Sequence, residues 1–207
     1  MKRSFKKMLE GYQSFRERYA LGDRSVMHYL SRYGQRPEVM VVACCDARVD
    51  PALILQCDPG DLFVVRNVAN IVPPYEKTVR FQGTSAALEF GVCLLKVKHL
   101  ILLGHTQCGG MEAVVNAQEA GESDFIQNWV SLVKTPGDEG YTADQYAKIA
   151  LKKSYRHCLT FPWIADKVVA SELVIHLWLF DIEQGEILTF SKETKEYTPL
   201  DASYLEG

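Results

Sequence analysis

Cys44, His105 and Cys108 are three soft ligands in a chain of 207 residues, and each stands where an apolar run ends. Val39-Met40-Val41-Val42 leads into Ala43-Cys44-Cys45-Asp46-Ala47-Arg48. Leu100-Ile101-Leu102-Leu103 leads into Gly104-His105-Thr106-Gln107-Cys108-Gly109-Gly110. Such runs read as buried strands, and in a parallel α/β sheet ligands collect in the crevice outside the carboxyl ends of the strands. Two thiols and an imidazole meeting there form a nitrogen-and-sulfur set suited to zinc. Three protein ligands leave the fourth tetrahedral position for chemistry. The competing reading is a closed zinc site that only braces the fold, which needs a fourth protein ligand. Cys45 is the nearest spare thiol, but neighbours on an extended chain point to opposite sides. Asp46 shares a side with Cys44 and can take that position. Alternatively it pairs with Arg48, whose guanidinium meets a carboxylate in a two-point fork.

The elements that must position these residues follow from the hydropathy pattern. Residues 39–43 read as the first strand, and Asp50-Pro51 then marks a helix start, Asp50 as cap and Pro51 in the first turn. The turn Asp58-Pro59-Gly60-Asp61 precedes a strand over 62–65. Residues 84–97 read as a helix opened by Thr84 or Ser85, with Leu88, Val92 and Leu95 buried. A strand over 100–103 follows, and Gly109-Gly110 opens a helix through about Gln118. Phe125, Ile126, Trp129, Val130 and Val133 share one helical face. Thr142-Ala143-Asp144-Gln145 has the form of a capping box before another helix. A short helix over about 163–169 leads to a strand over 173–180, which turns into 187–190 as a hairpin. The alternation predicts a single α/β domain over 1–207. Its centre is a mostly parallel sheet flanked by helices, with an antiparallel C-terminal hairpin strand. Residues 1–33 read as an N-terminal helical arm, in which Phe5, Met8, Leu9, Tyr12, Phe15 and Tyr19 form one apolar face. Glu10, Glu17 and Asp23 dilute its basic start, so packing on the body or on a second subunit is favoured over a membrane surface. Residues 191–207 form a polar tail.

Composition narrows the function classes. A net charge of −3 gives no overall basic field for nucleic acid. No apolar run approaches the roughly 20 residues of a membrane span. The basic start Met1-Lys2-Arg3 is followed by no apolar core of a secretory signal, so a cytoplasmic location is expected. Six cysteines without framework spacing fit a reducing compartment. Cys45, Cys57, Cys93 and Cys158 read as packing residues, and His28, His99, His157 and His176 lack ligand spacing. His176, in an apolar strand, reads as a core or interface histidine.

Cys44-x-Asp46-x-Arg48 followed by His105-x-x-Cys108-Gly109-Gly110 resembles the signature of the β-class carbonic anhydrases, in their plant-like branch. Gly60-Asp61-Leu62-Phe63-Val64-Val65-Arg66-Asn67-Val68-Ala69-Asn70, then Ile71-Val72-Pro73-Pro74-Tyr75, extend the likeness. So do Thr160-Phe161-Pro162 and the hairpin, over roughly residues 30–190.

The resemblance implies one zinc per subunit on Cys44, His105 and Cys108, and an Asp46–Arg48 dyad. It places a substrate-binding glutamine on Gln35, with pocket positions on Phe63 and Val68. Phe90 stands where the branch has a tyrosine, and Ala47 where the family usually has serine. The implied reaction is reversible hydration of carbon dioxide to bicarbonate and a proton by a zinc-bound hydroxide. Asp46 would orient that group, while Gln35 and the Gly109 N–H would stabilise charge on substrate oxygen. The resemblance also implies a homodimer or higher homo-oligomer, with Gln35 acting across the interface. Another branch has a bicarbonate pocket built on a tryptophan where this chain has Val41, although the matching Arg66 is present. Its regulation is therefore not expected. Carbonyl sulfide or carbon disulfide hydrolysis on the same fold is the alternative, and a non-catalytic zinc module is the third reading.

Overall fold

The structure is a computed structural model that describes residues 2–78, 81–116, 124–134 and 140–201. Its centre is a sheet of β1 (Val39–Cys44), β2 (Leu62–Asn67), β3 (His99–His105), β4 (Val174–Asp181), β5 (Glu186–Phe190) and β6 (Tyr197–Pro199), in the order β2-β1-β3-β4-β5-β6. The first four strands are parallel, and β5 and β6 add antiparallel at one edge. Met40, Val41, Val42 and Ala43 of β1 and Leu100, Ile101, Leu102 and Leu103 of β3 are all buried. Central strands covered on both faces need apolar residues at every position, which is why they read as unbroken runs. The register sets Ala43 beside Leu103, so Cys44 and His105 leave adjacent strands at the same end of the sheet.

The helices are α1 (Lys2–Phe15), α2 (Val26–Tyr33), α3 (Pro51–Ile54), α4 (Gly83–Glu89), α5 (Gly109–Val115), α6 (Ile126–Val130), α7 (Ala143–Cys158) and α8 (Pro162–Val169). Wider π-helical turns extend α1 over Arg16–Ala20 and α4 over Phe90–Leu95. Asp50 opens α3 as expected: its carboxylate accepts from the N–H of Ala52 at 3.0 Å and of Leu53 at 3.3 Å. The capping box before α7 is present, with Thr142 Oγ1 accepting from Gln145 N–H and Gln145 Oε1 from Thr142 N–H. α4 corrects the expected start. It begins at Gly83, because Thr84 accepts from Asn67 Nδ2 and Ser85 donates to Gln82 Oε1, which leaves neither as a cap. The end expected for α5, near Gln118, lies outside the described residues. β6, in the polar tail, was not foreseen. It pairs with β5 and sets the Tyr197 ring 5.2 Å from that of Phe190.

The two faces of the sheet are packed differently. Met40, Val42, Leu100, Leu102, Ile175 and Leu177 join the main core with Leu88 of α4, Met111 of α5, Leu151 of α7 and Ile164 of α8. On the other face Val41, Ala43, Ile101 and Leu103 cluster with Val39, Leu62, Trp178 and Phe180. Every member of that second cluster comes from a strand. The arm is packed least. Phe5, Met8, Leu9 and Tyr12 are 62%, 60%, 51% and 60% exposed. Its root is tied down where Tyr19 donates to Asp58 and Leu30 packs on Gly60. Among the described residues, no helix is long and apolar enough to cross a membrane.

Candidate metal centre and active site

β1 delivers Cys44 at its last residue, β3 delivers His105 at its last residue, and the turn into α5 delivers Cys108. All three are buried, and their ligand atoms lie within 4.8 Å of one another. The two sulfurs are 3.9 Å apart. Two Zn–S bonds of about 2.3 Å at a tetrahedral angle would separate their sulfurs by about 3.8 Å, so the spacing fits that ion. His105 Nδ1 lies 2.8 Å from the Thr106 carbonyl and donates to it. That fixes the tautomer and leaves the Nε2 lone pair, which is buried without a hydrogen-bond partner. An orphaned imidazole nitrogen beside two thiols is what a metal ligand set looks like from the protein side.

Backbone N–H groups tune the sulfurs. Those of Asp46 and Ala69 reach Cys44, and those of Gly110 and Met111 reach Cys108. The two thiols share a hydrogen bond, which eases loss of the first proton from the pair and opposes loss of the second. Ala69 has a left-handed φ of 64°, and a Cβ on Gly110 would stand 2.8 Å from the Ala69 Cβ. The second glycine of the Cys-Gly-Gly run is therefore set by close approach of two backbones. Sequence reading missed these donors because any residue type can supply a backbone N–H.

Asp46 is turned to Arg48. Its Oδ1 accepts from Arg48 Nε at 3.0 Å and from the Arg48 backbone N–H at 2.9 Å, and its Oδ2 accepts from Nη2 at 2.7 Å. The fork holds the Asp46 carboxyl well below the usual carboxylate range, the Arg48 side chain being the first cause. Arg66 braces the same loop: Nε donates to the Cys44 carbonyl, Nη2 to the Asp46 carbonyl and Nη1 to Asp50. Cys45 is exposed, which corrects its reading as a packing residue. Cys57 and Cys93 are half-buried and Cys158 is fully buried, where burial pushes its thiol up to about 12.

The remaining site positions divide between the two ends of the strands. Val68 follows β2 at the metal end and lines an open apolar cavity of about 540 Å³ with Phe125, Ile126, Trp129 and Leu132. Trp129 Nε1 donates to the Val68 carbonyl at 2.7 Å. Gly109 opens α5 beside Cys108. Phe63 instead pairs with Met40, and Phe90 stacks on it at 5.6 Å. At about 3.3 Å per residue, Phe63 is about 13 Å from Cys44 along the strands. Gln35 is exposed in the segment before β1, also towards the amino ends. One chain thus brings together the metal ligands, the dyad, Val68 and Gly109, but not Gln35, Phe63 and Phe90. His99 and His176 pair with each other at 3.0 Å, and His157 Nδ1 bonds the Val72 carbonyl, so these histidines serve the fold.

Residues 39–187 match the family described as carbonic anhydrase. Over 197 residues the chain is 32% identical to a carbonic anhydrase of Synechocystis sp., which covers 89% of this chain and 70% of that protein. Over 184 residues it is 35% identical to the chloroplastic β carbonic anhydrase 5 of Arabidopsis thaliana, covering 84% of this chain and 60% of that one. The solved structure of the β-carbonic anhydrase CcaA matches at a TM-score of 0.82 and 29% identity, over 96% of this chain and 93% of that one. A tetrameric β-carbonic anhydrase of Sordaria macrospora matches at a TM-score of 0.68 and 28% identity, over 90% and 93%. The matched span contains all three ligands and both members of the ion pair, and the chain belongs to the β-carbonic anhydrase family of zinc-dependent carbonate dehydratases.

Proposed function

We propose that the chain converts carbon dioxide and water to bicarbonate and a proton at the Cys44–His105–Cys108 centre, with Asp46 and Arg48 as the polar machinery beside it. The observation that carries this reading is that both Asp46 oxygens are taken by Arg48 while three buried ligand atoms converge next to them. The protein then supplies three ligands and not four, which is the pattern of a catalytic site. Zinc supplies Lewis acidity that lowers the pKa of a water molecule, an effect for which carbonic anhydrases are themselves the usual example. Asp46, ionised and fixed, accepts a hydrogen bond from the attacking water and so aims its lone pair at the carbon of carbon dioxide. Its position also disfavours ligands that have no proton to donate. Val68 offers an apolar wall to the uncharged substrate, and the Gly109 N–H is a donor for the oxygen that gains charge. The proton released passes to buffer.

The site is completed by a second copy. Gln35, Phe63 and Phe90 lie away from their own metal end, and in a twofold dimer they would face the partner's metal end. One further observation supports a dimer: α1 leaves an apolar row exposed. Residues 1–33 then act as an arm on the partner subunit. Stopped-flow assays of zinc-loaded protein test the substrate reading. Hydration of carbon dioxide well above the buffer rate is expected. Turnover of carbonyl sulfide or carbon disulfide without carbon dioxide hydration would overturn it.

A further inference from the structure

Gln107 lies between two metal ligands and has a left-handed φ of 55°. That conformation is costly for a residue with a Cβ and persists only where the surroundings hold it. Two contacts do so. The Gln107 N–H donates to Asp144 Oδ1 at 2.6 Å, and the Gln107 carbonyl accepts from Arg48 Nη2 at 2.9 Å. Gln107 Oε1 adds a longer contact to Arg48 Nη1 at 3.4 Å. Asp144 comes from the first turn of α7, and the capping box there is complete without it, since Thr142 and Gln145 satisfy each other. Its carboxylate is therefore spare for the metal loop.

The Arg48 side chain is 47% exposed. An ion pair this open gains little unless its geometry is fixed, because a long side chain can swing into water. We propose that Asp144 is a positioning residue for the dyad: by holding Gln107 in its left-handed turn, it keeps the Gln107 carbonyl on Arg48 and so keeps Arg48 forked on Asp46. The chain Asp144–Gln107–Arg48–Asp46 ties α7 to the catalytic loop. This rests on the reading of Asp46 and Arg48 as the working dyad.

A double-mutant cycle with a second, non-kinetic readout tests it. Asp144→Ala should lower kcat about three- to tenfold, the worth of one ordinary hydrogen bond, with zinc content unchanged. Asp144→Ser, a good first-turn residue with too short a reach, should follow it. Asp144→Asn keeps an acceptor oxygen and should retain most of the activity. In an Arg48→Ala background, Asp144→Ala should cost nothing further, because Asp144 acts through Arg48. In parallel, the Arg48 Nε–H proton should exchange with solvent faster in Asp144→Ala than in the parent, as read by NMR. Equal losses in both backgrounds, or unchanged Nε–H exchange, would overturn the proposal and leave Asp144 as a structural residue. If Arg48→Ala alone has parental turnover, the dyad reading itself fails. If Arg48→Ala is impaired while Asp144→Ala is not, only the role of Asp144 fails.

Discussion

The carboxyl ends of β1 and β3 and the N-terminal arm are opposite kinds of surface. At the metal end, polar groups are matched within one chain: His105 Nδ1 on Thr106, Asp46 on Arg48, Arg66 on two carbonyls and Asp50, and backbone N–H groups on both sulfurs. What it leaves unmatched, the His105 Nε2 lone pair, is what a metal takes. On α1 the unmatched groups are apolar, and Phe5, Met8, Leu9 and Tyr12 face solvent. The first region asks for an ion and the second for another protein surface. Changes at the first should abolish chemistry and leave assembly intact, while changes at the second should weaken assembly with zinc still bound, and lower activity only through loss of the second copy.

The largest effect is expected at the ligands. Cys44→Ser, His105→Ala and Cys108→Ser should each lose zinc, by metal analysis, and fall to the background rate, while still sedimenting as the parent does. Retention of full zinc by any one would remove that residue from the centre. Next comes Arg48→Ala, which should keep zinc and lose about 10- to 150-fold in turnover, matching about 1.5–3 kcal/mol for a charge-assisted pair. The same change should raise the Asp46 pKa, now held low by Arg48. Asp46 therefore stays ionised throughout pH 6–9 in the parent, and its contribution is lost only as pH falls through its depressed folded value. Parental kinetics for Arg48→Ala across that range would contradict the dyad.

At the arm, Leu9→Glu combined with Tyr12→Glu should leave zinc in place and weaken self-association about a hundredfold or more, as loss of two buried apolar side chains implies. Sedimentation at assay concentration reads this, and an unchanged oligomer would show that the exposed row is not an interface. The smallest effect concerns His176, which burial first, then the charges of His99 and Lys192, hold at about 4. The unfolded chain binds a proton there at about pH 6.5 and the folded chain does not. Stability should therefore fall as pH drops from about 6.5 towards 4, by urea midpoints, and His176→Gln should flatten that fall. An equal fall in the variant would remove His176 as the cause.

The metal end was legible in the sequence because its residues come in two short runs, each placed by a strand whose burial on both faces forces an unbroken apolar pattern. The dyad was legible because Asp46 and Arg48 stand two residues apart beside the first ligand, although the structure holds them in a turn closed by the Val49 N–H on the Asp46 carbonyl rather than on an extended stretch. The rest depended on contacts distant in sequence. Asp144 reads as part of a capping box until α7 is laid beside the metal loop. Thr84 reads as a helix cap until Asn67 claims its hydroxyl. Trp129 reads as one residue of an amphipathic stretch until it bonds the Val68 carbonyl. The short β6 has no apolar run to announce it, and exists because β5 offers an edge. The arm showed its apolar stripe plainly, but a stripe does not say whether it meets its own body or another copy.

The central claim is that the metal end of one chain works with Gln35, Phe63 and Phe90 of a second. Mixing two inactive variants tests it most directly. Arg48→Ala disables the metal end, and Gln35→Ala disables the partner-facing side. If the site spans two chains, a mixed dimer holds one site with both changes and one site with neither, so dissociating and reassociating the two variants together should restore activity that neither shows alone. If each site is built within one chain, every site in the mixture carries one defect. Activity would then stay at the average of the two variants, and the two-chain site would be contradicted.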